Sequence, residues 1–138
     1  MIRITKSSTN DVVVTLKENS TISNPIYLFM FTNQQTNVNY YFIASDVSAY
    51  KDRYNKFIVT EKISADTLNG EVSLGNEGFY DYTVYQTSLT SLSGLTTAND
   101  AIQYITKSVE YGLVWVILAT ETINRYNPTI DSTIVYNG

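Results

Sequence analysis

Residues 11–17 have the sequence Asp-Val-Val-Val-Thr-Leu-Lys, in which Val12, Val14 and Leu16 stand at every second position. Successive side chains of a β-strand point to opposite faces, so this period of two predicts a strand with one buried face. Residues 25–32, Pro-Ile-Tyr-Leu-Phe-Met-Phe-Thr, are apolar on both faces, which is typical of a central strand in a sandwich. The two segments predict an all-β protein.

The same pattern continues along the chain. Further strands are predicted over residues 40–44, 57–60, 71–74, 79–85 and 109–118. Segments rich in Asn, Asp, Ser and Gly separate them, with a turn about every 8–12 residues, which is typical of a sandwich or barrel. We therefore expect one domain over residues 1–118, an antiparallel β-sandwich of about seven strands.

One segment departs from the alternation. Residues 97–107, Thr-Ala-Asn-Asp-Ala-Ile-Gln-Tyr-Ile-Thr-Lys, predict a short helix that Thr97 caps and that carries Asp100 in its first turn. In such a helix Ala101, Ile105 and Val109 would share one face. An irregular loop is the alternative interpretation of this segment.

Residues 119–138 form a C-terminal extension beyond the predicted sandwich. The segment is polar as far as Asn127, Pro128 interrupts it, and residues 130–136 alternate again, which predicts one additional strand. We expect this strand to pair with a sheet edge in its own subunit or in a neighbour, and residues 123–138 to contribute to assembly. The candidate interface residues of the extension are Tyr126, Ile130, Ile134 and Tyr136.

Residues 76–84 resemble the start of strand F in an immunoglobulin-like (Ig-like) domain. Tyr80 would be the tyrosine of the corner, with its hydroxyl bonded to backbone in the preceding loop. Tyr82 takes the place of the core cysteine and would point inward together with Val84. The usual tryptophan of strand C has no counterpart, since the single tryptophan, Trp115, lies late in the last predicted strand and is assigned a structural role there. We expect an Ig-like sandwich, with another Greek-key sandwich or a small barrel as alternatives.

The composition argues against catalysis. The chain has 138 residues, no Cys and no His, so the commonest general base and the commonest transition-metal ligand are both missing. The carboxylate pairs Asp46 with Asp52 and Glu77 with Asp81 are interpreted as solvated loop charges. A net charge of −4 argues against binding to nucleic acid. We expect a protein that is not an enzyme and that has no cofactor and no metal site.

Apolar runs that could enter a membrane are not found in the sequence. No apolar run follows residues 1–6, and the longest one, residues 113–119, is far shorter than the roughly 20 residues that a spanning helix needs. We therefore expect no signal peptide, no membrane contact and synthesis in a cytoplasm.

The twelve tyrosines exceed what a core of this size normally holds. Tyrosine combines apolar area with a polar tip, which suits strand margins, protein interfaces and sugar-stacking surfaces alike. Seven of the tyrosines cannot all face inward, and for these a place at a strand margin, in a protein interface or on a sugar-binding surface stays open. They are Tyr40, Tyr41, Tyr50, Tyr54, Tyr111, Tyr126 and Tyr136.

Several segments together resemble the small virion structural proteins of tailed phages that infect Bacteroidetes, including the crAss-like phages. The resemblance is carried by Thr5-Lys6, by residues 11–16, by Asn-Pro-x-Tyr-Leu-Phe-x-Phe-Thr-Asn at 24–33, by Tyr-Tyr-Phe at 40–42, by Asp-Arg-Tyr-Asn-x-Phe at 52–57, by Gly-Phe-Tyr-x-Tyr-x-Val-Tyr at 78–85 and by Val-Glu-x-Gly-x-x-x-Val at 109–116. It covers most of residues 1–118 and contains no catalytic motif.

The resemblance implies a virion protein that is made in the cytoplasm of a host bacterium. Its expected role is that of an auxiliary (decoration) capsid protein or another head-associated component. Its expected partners are the major capsid protein or other virion subunits, and self-association is compatible with the same role. The alternative is a glycan-binding or adhesin-type module of a phage fibre, which would need a concave, tyrosine-lined site instead of a flat apolar surface or an open sheet edge.

Overall fold

In a computed structural model the chain is described over residues 1–22, 25–49 and 53–118. The regular structure of these residues consists of two short 3₁₀ helices, Lys17–Asn19 and Ala98–Tyr104, and of strands that each bury one or both faces. The strands in this part of the chain are β1 (Ile2–Thr5), β2 (Thr9–Val14), β3 (Tyr27–Asn33), β4 (Asn39–Ile43), β5 (Asn55–Glu61), β6 (Glu71–Val72), β7 (Gly78–Thr87) and β8 (Ile105–Ile117).

The strands form two sheets that pack against each other. One sheet has five strands in the order β1-β8-β7-β3-β4, and the other has three in the order β2-β5-β6. A single cluster of buried residues draws on both sheets, because alternate residues of each strand point into the space between them. The prediction of an all-β sandwich is confirmed.

Phenylalanine rings occupy the centre of the core. Phe57 of β5 meets Phe29 of β3 edge to face, with ring centroids 4.9 Å apart and planes at 75°. Phe29 in turn stacks on Phe42 of β4 at 4.9 Å and 11°. Such pairs add about 0.5–1.5 kcal/mol each beyond the area that they bury. The contact between Phe57 and Phe29 joins the three-stranded sheet to the five-stranded sheet.

Two strand pairings are parallel and differ from the predicted antiparallel arrangement. β1 pairs in parallel with β8, and the two-residue strand β6 pairs in parallel with β5. The sequence analysis predicts no strand at β1, since only Ile2 and Ile4 alternate there. Both side chains are buried beside β8. The segment is too short to be recognised as a strand from its sequence, and it becomes one because it pairs with β8.

The strand order bears on the Ig-like assignment. The run β8-β7-β3-β4 has the order of strands G, F, C and C′ in a variable-type immunoglobulin domain. β6, however, follows β5 along the chain and lies parallel to it, which is not part of that pattern. The Ig-like assignment therefore stays a prediction.

The segment predicted as a short helix over 97–107 forms the 3₁₀ helix Ala98–Tyr104, which ends where β8 begins. The predicted common face is wrong. Ala101 and Ile105 do pack in the same small second apolar cluster, but Ile105 already belongs to β8, and Val109 lies in the main core. The long pairing of β8 with β7 determines this boundary, because it extends to Ile105 opposite Thr87.

Close contact between β7 and β8 depends on a glycine. Tyr82 of β7 lies directly opposite Gly112 of β8, and its buried ring covers the glycine. A Cβ atom at position 112 would be 2.8 Å from Cε1 of Tyr82. Glycine inside a strand is usually unfavourable, so here the absent side chain creates the space for the ring.

We expect Gly112→Ala to lower the free energy of unfolding by about 1–3 kcal/mol, as is usual for overpacking, although Gly to Ala in a strand normally raises it. Urea denaturation of the full chain measures the change. The control is the same substitution in a Tyr82→Ala background, where the ring is gone and the loss should be much smaller. An equal loss in both backgrounds would contradict this explanation.

Candidate functional site

Strand β8 is apolar on both faces over its second half. Val114 and Val116 point into the core and are fully buried. The intervening residues point to the outer face of the five-stranded sheet, and all of them are apolar: Tyr111, Leu113, Trp115 and Ile117. A strand with a solvated outer face normally alternates apolar with polar residues. The outward residues of β8 therefore have the composition of a surface that another molecule covers.

The neighbouring strands extend this apolar surface. Phe79 of β7 lies opposite Trp115, and the two rings stack with centroids 6.2 Å apart and planes at 18°. On the other side, Arg3 of β1 lies opposite Trp115, and its guanidinium is 5.2 Å from the ring centroid. This distance is within the range of a cation–π contact.

We call this surface the outer-face patch and define it by Arg3, Phe79, Asp81, Tyr111, Leu113 and Trp115. Several of its large side chains are open to solvent to an unusual degree: Tyr111 is 83% exposed, Phe79 51% and Leu113 44%. Asp81 lies opposite Leu113 and is exposed. The patch is thus an aromatic and aliphatic surface with one cation and one anion, and Oδ1 of that anion, Asp81, accepts from Nε2 of Gln34 at 3.0 Å.

The other end of the same sheet face is covered by the chain itself. Residues 88–104, which we call the covering loop, include the 3₁₀ helix. Ala98 and Ala101 of that helix are buried against Leu28 of β3 and Ile43 of β4. Leucines of the loop at 89, 92 and 95 pack around this cluster. Among the described residues, the outer face is therefore covered at one end and exposed at the patch.

Hydrogen bonds hold the covering loop in place. The Asp100 carboxylate accepts from the backbone N–H of Thr96 at 2.8 Å and of Thr97 at 3.2 Å, which together lower the pKa of Asp100. The backbone N–H of Ala98 donates to Oγ1 of Thr67 at 2.9 Å. These bonds fix the start of the helix, so the loop has a defined position over β3 and β4.

The sequence-predicted structural residues fall on two faces. Tyr80, Tyr82 and Val84 are buried in the core, and the Tyr80 hydroxyl donates to the backbone carbonyl of Asn76 at 2.7 Å. Burial raises the pKa of Tyr80 and of Tyr82. Trp115 is instead half-buried on the outer face. The predicted interface residues of the extension lie outside the described residues: Tyr126, Ile130, Ile134 and Tyr136.

Of the seven tyrosines left open, Tyr40, Tyr41 and Tyr54 are half-buried and Tyr111 is exposed. Tyr50 lies outside the described residues, as do the two in the extension. The sequence analysis missed Arg3, Phe79, Asp81 and Leu113 as members of a surface. A signal was present, because residues 111–117, Tyr-Gly-Leu-Val-Trp-Val-Ile, are apolar on both faces in the manner of residues 25–32.

A cavity of about 580 Å³ lies at one end of the sandwich, between the segment after β2, the segment after β4 and the covering loop. Its described lining includes Ser20, Tyr27, Asp46, Asn55 and Leu92. Two pairs of its polar side chains are hydrogen-bonded to each other. The Ser20 and Tyr27 hydroxyls share a hydrogen bond of 2.7 Å, and Asn55 donates to the Asp46 carboxylate while its own carbonyl oxygen accepts from the backbone N–H of Leu16 at 2.9 Å.

Asp46 joins the segment after β4 to strand β5. Burial of this carboxyl raises its pKa, but hydrogen bonds from the Ser48 hydroxyl and backbone, the Asn55 amide and the Lys56 backbone outweigh burial. The pKa of Asp46 therefore lies below its usual value of 3.8. The Asp46 carboxylate thus accepts hydrogen bonds that hold the segment after β4 against β5. Its role is structural.

Glu61 is a buried carboxylate that the sequence analysis did not single out. Its Oε1 accepts from the backbone N–H of Ser7 at 2.8 Å, and its Oε2 accepts from that of Leu74 at 2.9 Å. Both oxygens thus tie loops to β5. Of the two carboxylate pairs considered from sequence, Glu77 and Asp81 are both exposed, and Asp52 lies outside the described residues.

No family model, curated protein or solved structure matches the chain. Within the part of the chain that the structure describes, no helix has the length and apolar character needed to cross a membrane. Among the same residues, no three acidic side chains are grouped so as to hold a metal ion.

We expect Asp46→Asn to make stability less sensitive to acid. A group whose pKa is lowered on folding stabilises the protein above its unfolded value near 3.8, and this contribution is lost as the pH falls below that value. Asn cannot be protonated in that range, so urea midpoints of the variant should fall less steeply than those of the wild type between about pH 4.5 and pH 2.5.

The control for this substitution is Glu77→Gln, which neutralises an exposed carboxylate in the turn before β7. Its urea midpoints should follow those of the wild type over the same pH range, because an exposed charge contributes little to folding. Parallel profiles for the wild type and Asp46→Asn would contradict the role of Asp46.

Proposed function

We propose that the protein is a non-enzymatic structural component of a phage virion, made in the host cytoplasm and incorporated into the particle. Its role is that of an auxiliary (decoration) capsid protein or another head-associated component, and its partners are the major capsid protein or other virion subunits. The sequence resemblance described above supports this setting.

The observation that carries the proposal is the outer-face patch. Aromatic residues and arginine are enriched at the centres of protein interfaces, and the patch combines Phe79, Tyr111, Trp115 and Arg3 on a flat sheet. A protein that acts by shape needs such a surface on a rigid support. The sandwich beneath provides it, since Val114 and Val116 hold β8 in the core.

A glycan-binding module of a phage fibre is the second candidate, and the cavity at the end of the sandwich is the concave site that it would use. Among the residues described there, Tyr27 is the one aromatic side chain of the lining, and its hydroxyl is bonded to Ser20. The two most exposed aromatic residues of the described chain, Tyr111 and Phe79, instead lie on the outer face of the five-stranded sheet. Sugar-stacking sites require aromatic and polar groups that converge in one concavity, so the arrangement supports assembly more strongly than sugar binding.

We expect Leu113→Glu to reduce incorporation of the chain into particles by about tenfold or more, because a desolvated charge would oppose burial of the patch. The measurement is the copy number per purified particle by quantitative mass spectrometry. Ile58→Glu is the matched control, since Ile58 is 45% exposed on the opposite sheet and Leu113 is 44% exposed. Incorporation of Leu113→Glu at the level of Ile58→Glu would contradict a role of the patch in assembly.

We expect deletion of residues 123–138 to leave a folded domain that is no longer incorporated. The two described sheets lie within residues 1–118, so the truncated chain retains all of their strands. Circular dichroism and urea denaturation test folding, and particle copy number tests incorporation. Wild-type incorporation of the truncated chain would show that the extension has no part in assembly.

A further inference from the structure

We propose that the outer-face patch binds a second copy of this chain, so that two five-stranded sheets pack face to face about a twofold axis. The inference rests on the proposed function only in taking the patch as a protein interface. It adds the identity of the partner, which is argued from the charges and the register of the patch.

The two charges of the patch lie on opposite sides of β8. Arg3 is on β1 and Asp81 is on β7, and both strands pair with β8. Two strand spacings and an offset of two residues along the strands separate them by about 12 Å, which is too far for an ion pair within one chain. The register places Arg3 level with Trp115 and Asp81 level with Leu113. The midpoint between the two charges therefore falls on β8, between its two most central outward side chains.

This placement is self-complementary. In a twofold contact, if a residue of one copy faces a given residue of the other, the reverse contact also forms. An axis that lies in the plane of the contact, passes between Leu113 and Trp115 and runs perpendicular to the line from Arg3 to Asp81 brings Arg3 of each copy to Asp81 of the other. Two equal ion pairs then flank an apolar centre. A partner of unrelated sequence would have to supply an acidic and a basic group at that same spacing, whereas a second copy supplies both.

The size of the patch sets the expected strength of the contact. Three strands about 4.8 Å apart, over the rise from residue 111 to residue 115, give a footprint of roughly 200 Å². This is small compared with the roughly 800 Å² per partner of standard interfaces. The dimer is therefore expected to be reversible and dependent on concentration, so the test must cover a wide range of concentrations.

The first test is sedimentation equilibrium of the full chain from about 1 to about 500 μM at physiological salt. We expect the mean mass to rise from 15.6 kDa towards twice that value. Leu113→Glu and, independently, Tyr111→Glu should remain monomeric over the range, and Ile58→Glu should associate like the wild type. Both patch residues are exposed in the single chain, so the variants should keep the wild-type urea midpoint. A wild type that stays monomeric, or equal association of Leu113→Glu and Ile58→Glu, would overturn the proposal.

The second test exchanges the charges. Arg3→Asp and Asp81→Arg should each weaken association by about tenfold, because each places like charges together twice across the axis. The double variant Arg3→Asp with Asp81→Arg restores opposite charges across the axis and should return to within about threefold of the wild type. Losses that simply add in the double variant would overturn the twofold arrangement.

The two proposals fail in different ways. A wild type that is monomeric in solution, together with Leu113→Glu that is lost from particles, would leave the virion function standing and assign the patch to another subunit. A wild type that dimerises through the patch but is never found in particles would support the dimer and overturn the proposed virion function.

Discussion

The contact of Phe57 with Phe29 joins the two sheets, and it determines which face of every strand is inside. Because side chains alternate along a strand, a register shift by one residue would exchange the inner and outer sets completely. With Phe29, Val84 and Val114 held in the core, Met30, Thr83 and Leu113 must point outward. The outer-face patch is thus a consequence of core packing and needs no separate folding signal.

The two ends of the outer face differ in how their apolar area is covered. β3 and β8 are both apolar on their outer sides, and exposed apolar area of this kind is unfavourable in water. Over β3 the chain supplies its own cover, the covering loop, whose alanines fit closely against Leu28 and Ile43. Over the second half of β8 the described chain supplies none. The chain itself meets this physical requirement at one end, and the proposed contact with a second copy would meet it at the other.

The buried polar groups explain how loops without regular structure acquire fixed positions. Gln86 is fully buried, and its amide bonds the backbone N–H groups of Thr21 and Ile22 and the hydroxyls of Thr21 and Thr106. Glu61 does the same for Ser7 and Leu74. Each is satisfied by partners from segments distant in sequence, so loss of either side chain would leave backbone N–H groups of those segments unpaired. This is a purely structural use of polar side chains, and it accounts for the most deeply buried carboxylate of the described chain without any catalytic role.

The sequence by itself determined the all-β class, most of the strands and the burial of Tyr80, Tyr82 and Val84, because the period of two is a local property that any half-buried strand must show. It also showed that Thr97 and Asp100 stand at the start of a helix. Only the tertiary structure decided that Ile2–Thr5 is a strand, that it runs parallel to β8, and that the helix is of the 3₁₀ type and ends at Tyr104. It alone also brought Arg3, Asp81 and Trp115, which are far apart in sequence, onto one surface. Such features depend on which strands become neighbours, and strand pairing is a property of the folded chain as a whole that no local pattern contains.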